Sequence, residues 1–165
     1  MFPDHIAALA NALLVSGLDV AYGQMINGFV SRAGADGYVL DALAGHDALL
    51  DHADIQWAGA LATTAVMFRR ALVERIGTVD ETLRSAEDYE FWYRLAEGRE
   101  WVRVPGITSM YFVRKDGSNR SSNGARRYFL AHQAIYSMHP SARPLVAAGR
   151  AAMLELFAQT AAPPD

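Results

Sequence analysis

Ser85-Ala86-Glu87-Asp88-Tyr89-Glu90-Phe91-Trp92-Tyr93-Arg94-Leu95-Ala96-Glu97-Gly98 has the periodicity of a short helix. Ser85 is placed to cap its start, with Asp88 three residues on as in a capping box. Gly98 is a natural residue to close its far end. Phe91, Trp92 and Leu95 follow Asp88 at i+3, i+4 and i+7, so the carboxylate shares their apolar stripe. Glu90 and Arg94, at i and i+4, are expected to pair on a more exposed face. A carboxylate in the first turn above an aromatic stripe points toward a neighbouring element or a cleft. Glu87, beside it, can orient it or share a proton. The plainer role for Asp88 is to cap the helix and offset its dipole, worth about 1 kcal/mol.

Outward from this helix, Phe68-Arg69-Arg70-Ala71-Leu72-Val73-Glu74-Arg75-Ile76-Gly77-Thr78-Val79-Asp80-Glu81 precedes Glu87-Asp88-Tyr89-Glu90 and Arg94-Leu95. This succession resembles the acceptor half of a family 2 glycosyltransferase of the GT-A fold. That family reads F-R-R, an apolar helix, I-G-G-F-D-E, a short gap, E-D-x-E/D and then R-L. Thr78-Val79 stands here where the family has Gly-Phe. The resemblance runs from about Phe2 to Tyr136. It implies an α/β fold, namely the C-terminal part of a GT-A mixed sheet flanked by helices. Residues 1–140 would form the partial, acceptor-side domain, and 141–165 a C-terminal helix with a frayed tail. It implies inverting glycosyl transfer from a nucleotide sugar to a hydroxyl acceptor. Asp88 would be the catalytic base and Glu87 its partner.

Composition sets independent bounds. With 165 residues the chain has the length of one domain with a real core. Apolar residues make up 52%, which excludes extended disorder. A net charge of -3 argues against nucleic acid as a partner. The absence of cysteine excludes a disulfide framework and thiolate metal sites, and it suits a reducing, cytoplasmic compartment. Met1 to His5 lacks the basic flank and apolar core of a signal peptide. The uncharged stretch from Ile55 to Phe68 is too short and mixed to span a bilayer.

Taken in order, Asp4 is expected to cap a helix whose stripe is Ile6, Leu9, Ala10, Leu13 and Leu14, ended by Gly17. Asp19 to Gln24 reads as a strand and Met25 to Ser31 as a second. The turn from Ala33 to Gly37 leads into Tyr38-Val39-Leu40, a hairpin covering one edge of a sheet. His46, Asp47, Asp51, His52 and Asp54 cluster; they read as a solvated helix end in preference to a metal site. Ile55 to Phe68 reads as a loop entering a buried strand near Leu61 to Phe68. Arg69 and Arg70 start the next helix, which Gly77 ends, and a surface or salt-bridge role is expected of these arginines. Glu100 to Pro105 and Ile107 to Val113 read as two strands. Ala125 to Met138 is amphipathic, with Tyr128, Phe129, His132 and Ile135 on one side and His132 as a packing histidine. His139-Pro140 breaks it, and Ala142 to Ala161 is the last helix.

The resemblance assigns further roles. Trp57, Thr63 and Thr64 would contact the acceptor at the floor of the site. Arg114 and Arg120, around a Gly/Ser/Asn loop, would assist at the diphosphate. Phe112 replaces a histidine of the family beside Tyr111. Phe2-Pro3-Asp4-His5 matches the stretch just after the family's Asp-x-Asp metal motif, and no Asp-x-Asp occurs in the chain. The expectation is therefore an acceptor-side piece lacking the nucleotide-binding half and inactive alone. Its divalent metal, Mn or Mg, would be held by ligands outside this chain. Its exposed sheet edge would promote self-association. Two readings from other classes stand beside it. One is a non-catalytic glycosyltransferase-like interaction module. The other is an unrelated small α/β binding domain whose acid pair only caps a helix.

Overall fold

The computed structural model describes residues 1–33, 37–46, 61–118 and 125–161. These form a mixed α/β architecture of five helices and a four-stranded open sheet. The helices are α1 (His5–Ser16), α2 (Arg70–Ile76), α3 (Glu87–Ala96), α4 (Ala125–Met138) and α5 (Pro144–Ala161). The strands are β1 (Val20–Ala33), β2 (Gly37–His46), β3 (Val66–Phe68) and β4 (Val102–Arg114). Two compact units result. One draws its segments from within 1–49, 61–70 and 100–122, the other from within 71–99 and 123–165. No described helix is long and apolar enough to cross a membrane.

The first unit is a sheet with one helix on it. β1 runs antiparallel to β2 and β3 and parallel to β4. Ala21 pairs with Met67 on one edge and Val102 on the other, and Met25 to Val30 lie between β2 and β4. The hairpin is present, but its first strand is the centre of the sheet and does not cover an edge. β1 is also one strand of 14 residues where two were expected. Its glycines are clearances, not breaks. A Cβ at Gly23 would sit 2.2 Å from the Thr108 hydroxyl of β4, closer than any packed pair of atoms.

β4 is likewise continuous, through Pro105 and Gly106. Gly23 pairs with Val104 and Gln24 with Ile107, so two extra residues bulge out of the strand. Proline cannot donate to the ladder, and Gly106 takes the left-handed φ of 85° that a bulge demands. The breaker signal thus marks a bulge inside one strand. β3 is shorter than expected: Thr63–Ala65 form a 3-10 turn, and only Val66–Phe68 extend, half-buried.

α1 lies on this sheet through Leu9 and Leu13, which pack with Ala21 and Val104 and against Met67 and Val102. The buried row is His5, Leu9 and Leu13, at i, i+4 and i+8. Ile6 and Leu14, expected in the stripe, are 56% and 74% exposed. Asp4 holds the N-cap position without a side-chain bond to the helix. Gly17 ends the helix at φ 69°, as read. Arg69 Nη2 donates to the Leu13 carbonyl at 3.1 Å and Nε to that of Leu18 at 3.4 Å, while Asp19 lies 3.5 Å away. Its role is thus to satisfy the open carbonyls at the end of α1.

The second unit is helical. Gly77 ends α2 at φ 83°, its N–H bonded to the Val73 carbonyl. Asp80 then closes an Asx turn, accepting from the Thr82 amide at 2.9 Å and its hydroxyl at 2.7 Å. Those two bonds hold its carboxyl below the ordinary range. The core holds Ala86, Tyr89, Ile135 and Tyr136, with Leu83, Ala131 and Leu154 against it. α4 has the bounds expected, and α5 starts two residues later than expected.

Candidate functional site

α3 does not begin at a serine cap. Its N-cap is Ala86, at φ 58° and ψ 25°, and the cap makes no side-chain bond to the helix. Ala86 is the one non-glycine residue at positive φ among the described residues, and only 4% exposed. For an L-residue that conformation costs about 1–2 kcal/mol. The Ala86 carbonyl still accepts the first helical bond, from the Glu90 amide. The chain therefore turns sharply at Ala86, and Glu87 and Asp88 become the first two helical residues. The capping box from Ser85 is replaced by a local bond, in which the Tyr89 amide donates to Asp88 Oδ1 at 2.9 Å. Both acids are half-buried.

Below them α3 is buried on nearly all sides. Tyr89, Glu90, Phe91, Trp92, Tyr93, Leu95 and Ala96 are all enclosed. Glu90 overturns the expectation of an exposed pair, since only 4% of it meets solvent. Arg94 grips it with two bonds, Nε to Oε1 at 2.8 Å and Nη2 to Oε2 at 2.9 Å. His139 Nε2 approaches the same Oε1 at 2.9 Å. Arg94 also donates to the carbonyls of Ile76 and Thr78, tying the end of α2 to α3. This ion pair braces two helix junctions. The sequence announced the pairing of Glu90 with Arg94 but not its burial, because His139 stands 49 positions from Glu90.

Tyr89 and Tyr136 place their hydroxyls 3.3 Å apart. Burial, followed by the neighbouring Tyr136, drives the Tyr89 hydroxyl far above the ordinary phenol range, so it stays protonated. His132 Nδ1 donates to the Tyr128 carbonyl at 2.9 Å, with its ring among those of Tyr89, Tyr128, Tyr136 and Phe157. Burial lowers its pKa, as suits the packing histidine expected. Gly98 closes α3 at φ 65°. At this end a cleft of about 590 Å³ opens between Tyr93, Glu97, His139, Ser141 and Arg143. Its lining excludes Glu87 and Asp88, which stand at the opposite end of α3. Sequence reasoning missed it, because it forms where the α4–α5 corner meets α3.

The expected site residues divide between the two units. Glu87 and Asp88 belong to the helical unit, and Thr63, Thr64 and Arg114 to the sheet unit. Thr63 and Thr64 are exposed on their 3-10 turn. Arg114 ends β4 with its guanidinium carbon 5.2 Å from the centre of the Tyr38 ring. Trp57 and Arg120 lie outside the described residues, as do Asp47, Asp51, His52 and Asp54. Among the described residues no three His, Asp or Glu side chains gather as a metal site would need.

Compared with known protein families, with curated proteins and with solved structures, the chain matches none.

Proposed function

We propose that the chain is the acceptor-side part of an inverting glycosyltransferase of the GT-A type, with Asp88 as general base and Glu87 as its partner. One observation carries the reading. A buried alanine is held in a left-handed conformation immediately before an adjacent pair of acids at a helix start. Backbone strain of this kind gathers at functional positions, where it fixes a side chain that local preference would not. An ordinary cap such as Ser85 would have cost less. The motif order around it, from Phe68 to Leu95, supports the same reading.

In the proposed reaction Asp88 takes the proton of the acceptor hydroxyl while that oxygen attacks the anomeric carbon and the bond from that carbon to the nucleoside diphosphate breaks, the diphosphate leaving with the electron pair. Inversion follows from the single displacement. A positioned base contributes about 10²–10⁴-fold. Asp88 Oδ1 also accepts from the Tyr89 amide at 2.9 Å. Glu87 is its neighbour in the first turn of α3. The described residues do not fit a divalent metal, so no step of this scheme runs through one.

A second reading has its own support. The Asp88 bond to its own helix and the Asp80 turn are structural uses of the motif's acids. They favour a glycosyltransferase-like module that binds without catalysing. The deciding experiment is sugar transfer from a panel of nucleotide sugars to hydroxyl acceptors by the longest chain the gene encodes. Asp88→Asn should lower turnover at least about a hundredfold with little change in donor binding. Transfer that survives this substitution above about a tenth of the original rate would exclude Asp88 as the base. Absence of any transfer, with the donor still bound, would favour the binding module.

A further inference from the structure

The cleft at the C-terminal end of α3 is lined by two opposite charges that do not meet. Glu97 is the residue that follows α3, and Arg143 is the one that precedes Pro144 at the start of α5. Among the described residues, neither the Glu97 carboxylate nor the Arg143 guanidinium has a hydrogen-bonded or charged partner. Glu90, two turns earlier on the same helix, is by contrast held by both Arg94 and His139. The rest of the lining is largely apolar. Met138, at the end of α4, is 49% exposed, and Pro140 lines the cleft close to it. Apolar surface left wet inside a cleft releases water when a ligand covers it.

One wall of the cleft is fixed in advance. The Tyr93 and His139 rings lie 5.1 Å apart at 32°. His139 is tied through its ring to Glu90, and its carbonyl accepts from the Tyr93 hydroxyl at 3.4 Å and from Arg150 Nη1 at 2.7 Å. Arg150 in turn lies 4.7 Å from the centre of the Tyr93 ring. A wall held by that many contacts loses little freedom when a ligand arrives. Ser141 Oγ accepts from the Arg143 amide at 3.3 Å, which leaves the hydroxyl proton to be given to an anion.

A ligand that answers this lining carries an anion for the forked guanidinium, a cation for the carboxylate and an apolar part for Met138 and Pro140. A free amino acid with an apolar side chain has all three on one carbon. A residue inside a peptide has neither charge, and each end of a peptide has only one. We infer that the cleft binds such a free amino acid, with its carboxylate on Arg143 and Ser141 and its ammonium on Glu97. A volume of about 590 Å³ accommodates it. Glu87 and Asp88 stand at the other end of α3, so this site is independent of the transfer reaction.

The test is calorimetric titration of residues 1–165 with L-phenylalanine, with phenethylamine, which lacks the carboxylate, and with phenylpropanoate, which lacks the ammonium. Phenylalanine should bind saturably and more tightly than either analogue. Glu97→Gln should weaken phenylalanine and phenethylamine about tenfold and leave phenylpropanoate unchanged. Arg143→Gln should weaken phenylalanine and phenylpropanoate to the same degree and leave phenethylamine unchanged. Met138→Ser should weaken all three. Arg126→Gln, an exposed arginine at the opposite end of α4, should alter none of them. All four side chains are exposed, and equal melting temperatures would show that the variants fold. The absence of saturable phenylalanine binding up to about 10 mM overturns the proposal. Losses from Glu97→Gln and Arg143→Gln that fall equally on the three ligands overturn it too, as does an equal loss from Arg126→Gln. Tighter binding of phenylalanyl-phenylalanine than of phenylalanine would assign the cleft to peptides and remove the free amino acid.

Discussion

Glu90 and Arg94 meet in a two-pronged ion pair, with both contacts at 2.8–2.9 Å and the carboxylate side chain 5% exposed. A buried pair is weak evidence of net stabilisation, yet breaking one partner out of it is costly. Glu90→Ala leaves the Arg94 guanidinium, only 18% exposed, without its counter-charge. The expected loss is about 3 kcal/mol. A urea midpoint that moves by less than about 1 kcal/mol in free energy would mean that water replaces the carboxylate.

Ala86 sets two effects against each other. Glycine would relieve the left-handed strain, about 1–2 kcal/mol, but it removes a buried methyl and adds freedom to the unfolded chain. These nearly cancel, so Ala86→Gly should change stability by less than about 1 kcal/mol. Ala96, fully buried in the last turn of α3, carries no such strain. Ala96→Gly should therefore cost about 1–2 kcal/mol. Equal losses at both sites in thermal melts would contradict the strain at Ala86.

His132 gives the stability an acid limb. Its folded pKa is lowered by burial from a starting value of 6.5. Above that value it is neutral in both states and contributes no slope. As the pH falls below about 6.5 the unfolded chain takes up a proton that the folded chain refuses, so stability drops. The drop ends once the pH passes the lowered folded value. His132→Phe keeps a ring in the aromatic cluster and should flatten this limb, as read by denaturant melts at stepped pH.

The β2 strand presents Tyr38, Val39, Leu40 and Leu43 at 45–52% exposure. Strands with such a composition invite pairing with other chains. Residues 1–165 should therefore show a mass that rises with concentration in sedimentation. Leu43→Lys should shift the population toward monomer without lowering the melting temperature by more than a few degrees. A monomer at all concentrations before substitution would show that this strand is protected.

The helix ends were legible because glycine has few alternatives at positive φ. Gly17, Gly77 and Gly98 all close helices where they were expected to. Sheet continuity was not legible. Gly23, Pro105 and Gly106 are breakers on a local view, and only the neighbouring strand turns them into a clearance and a bulge. The face of α3 was misjudged at Glu90 for the same reason. A carboxylate reads as exposed until a partner from a distant segment, here His139, comes to meet it. The α1 stripe was misjudged because Ile6 and Leu14 are as apolar as Leu9 and Leu13. Only the row that ends on Ala21 and Val104 is buried. The pairing of Arg114 with Tyr38 needed three strands in register and had no local signal at all.

Among the described strands, each of β2, β3 and β4 bonds to β1 and to no other. The order of assembly follows. The β1–β2 hairpin closes across a short turn, an event of about 1–10 μs. β4 must then find β1 from about eighty residues along the chain and dock parallel, its bulge in register. That late, long-range step dominates the barrier, since loop-closure entropy is lost before its contacts form. Substitutions on the hairpin should therefore alter the refolding rate, whereas those on β4 should mainly hasten unfolding.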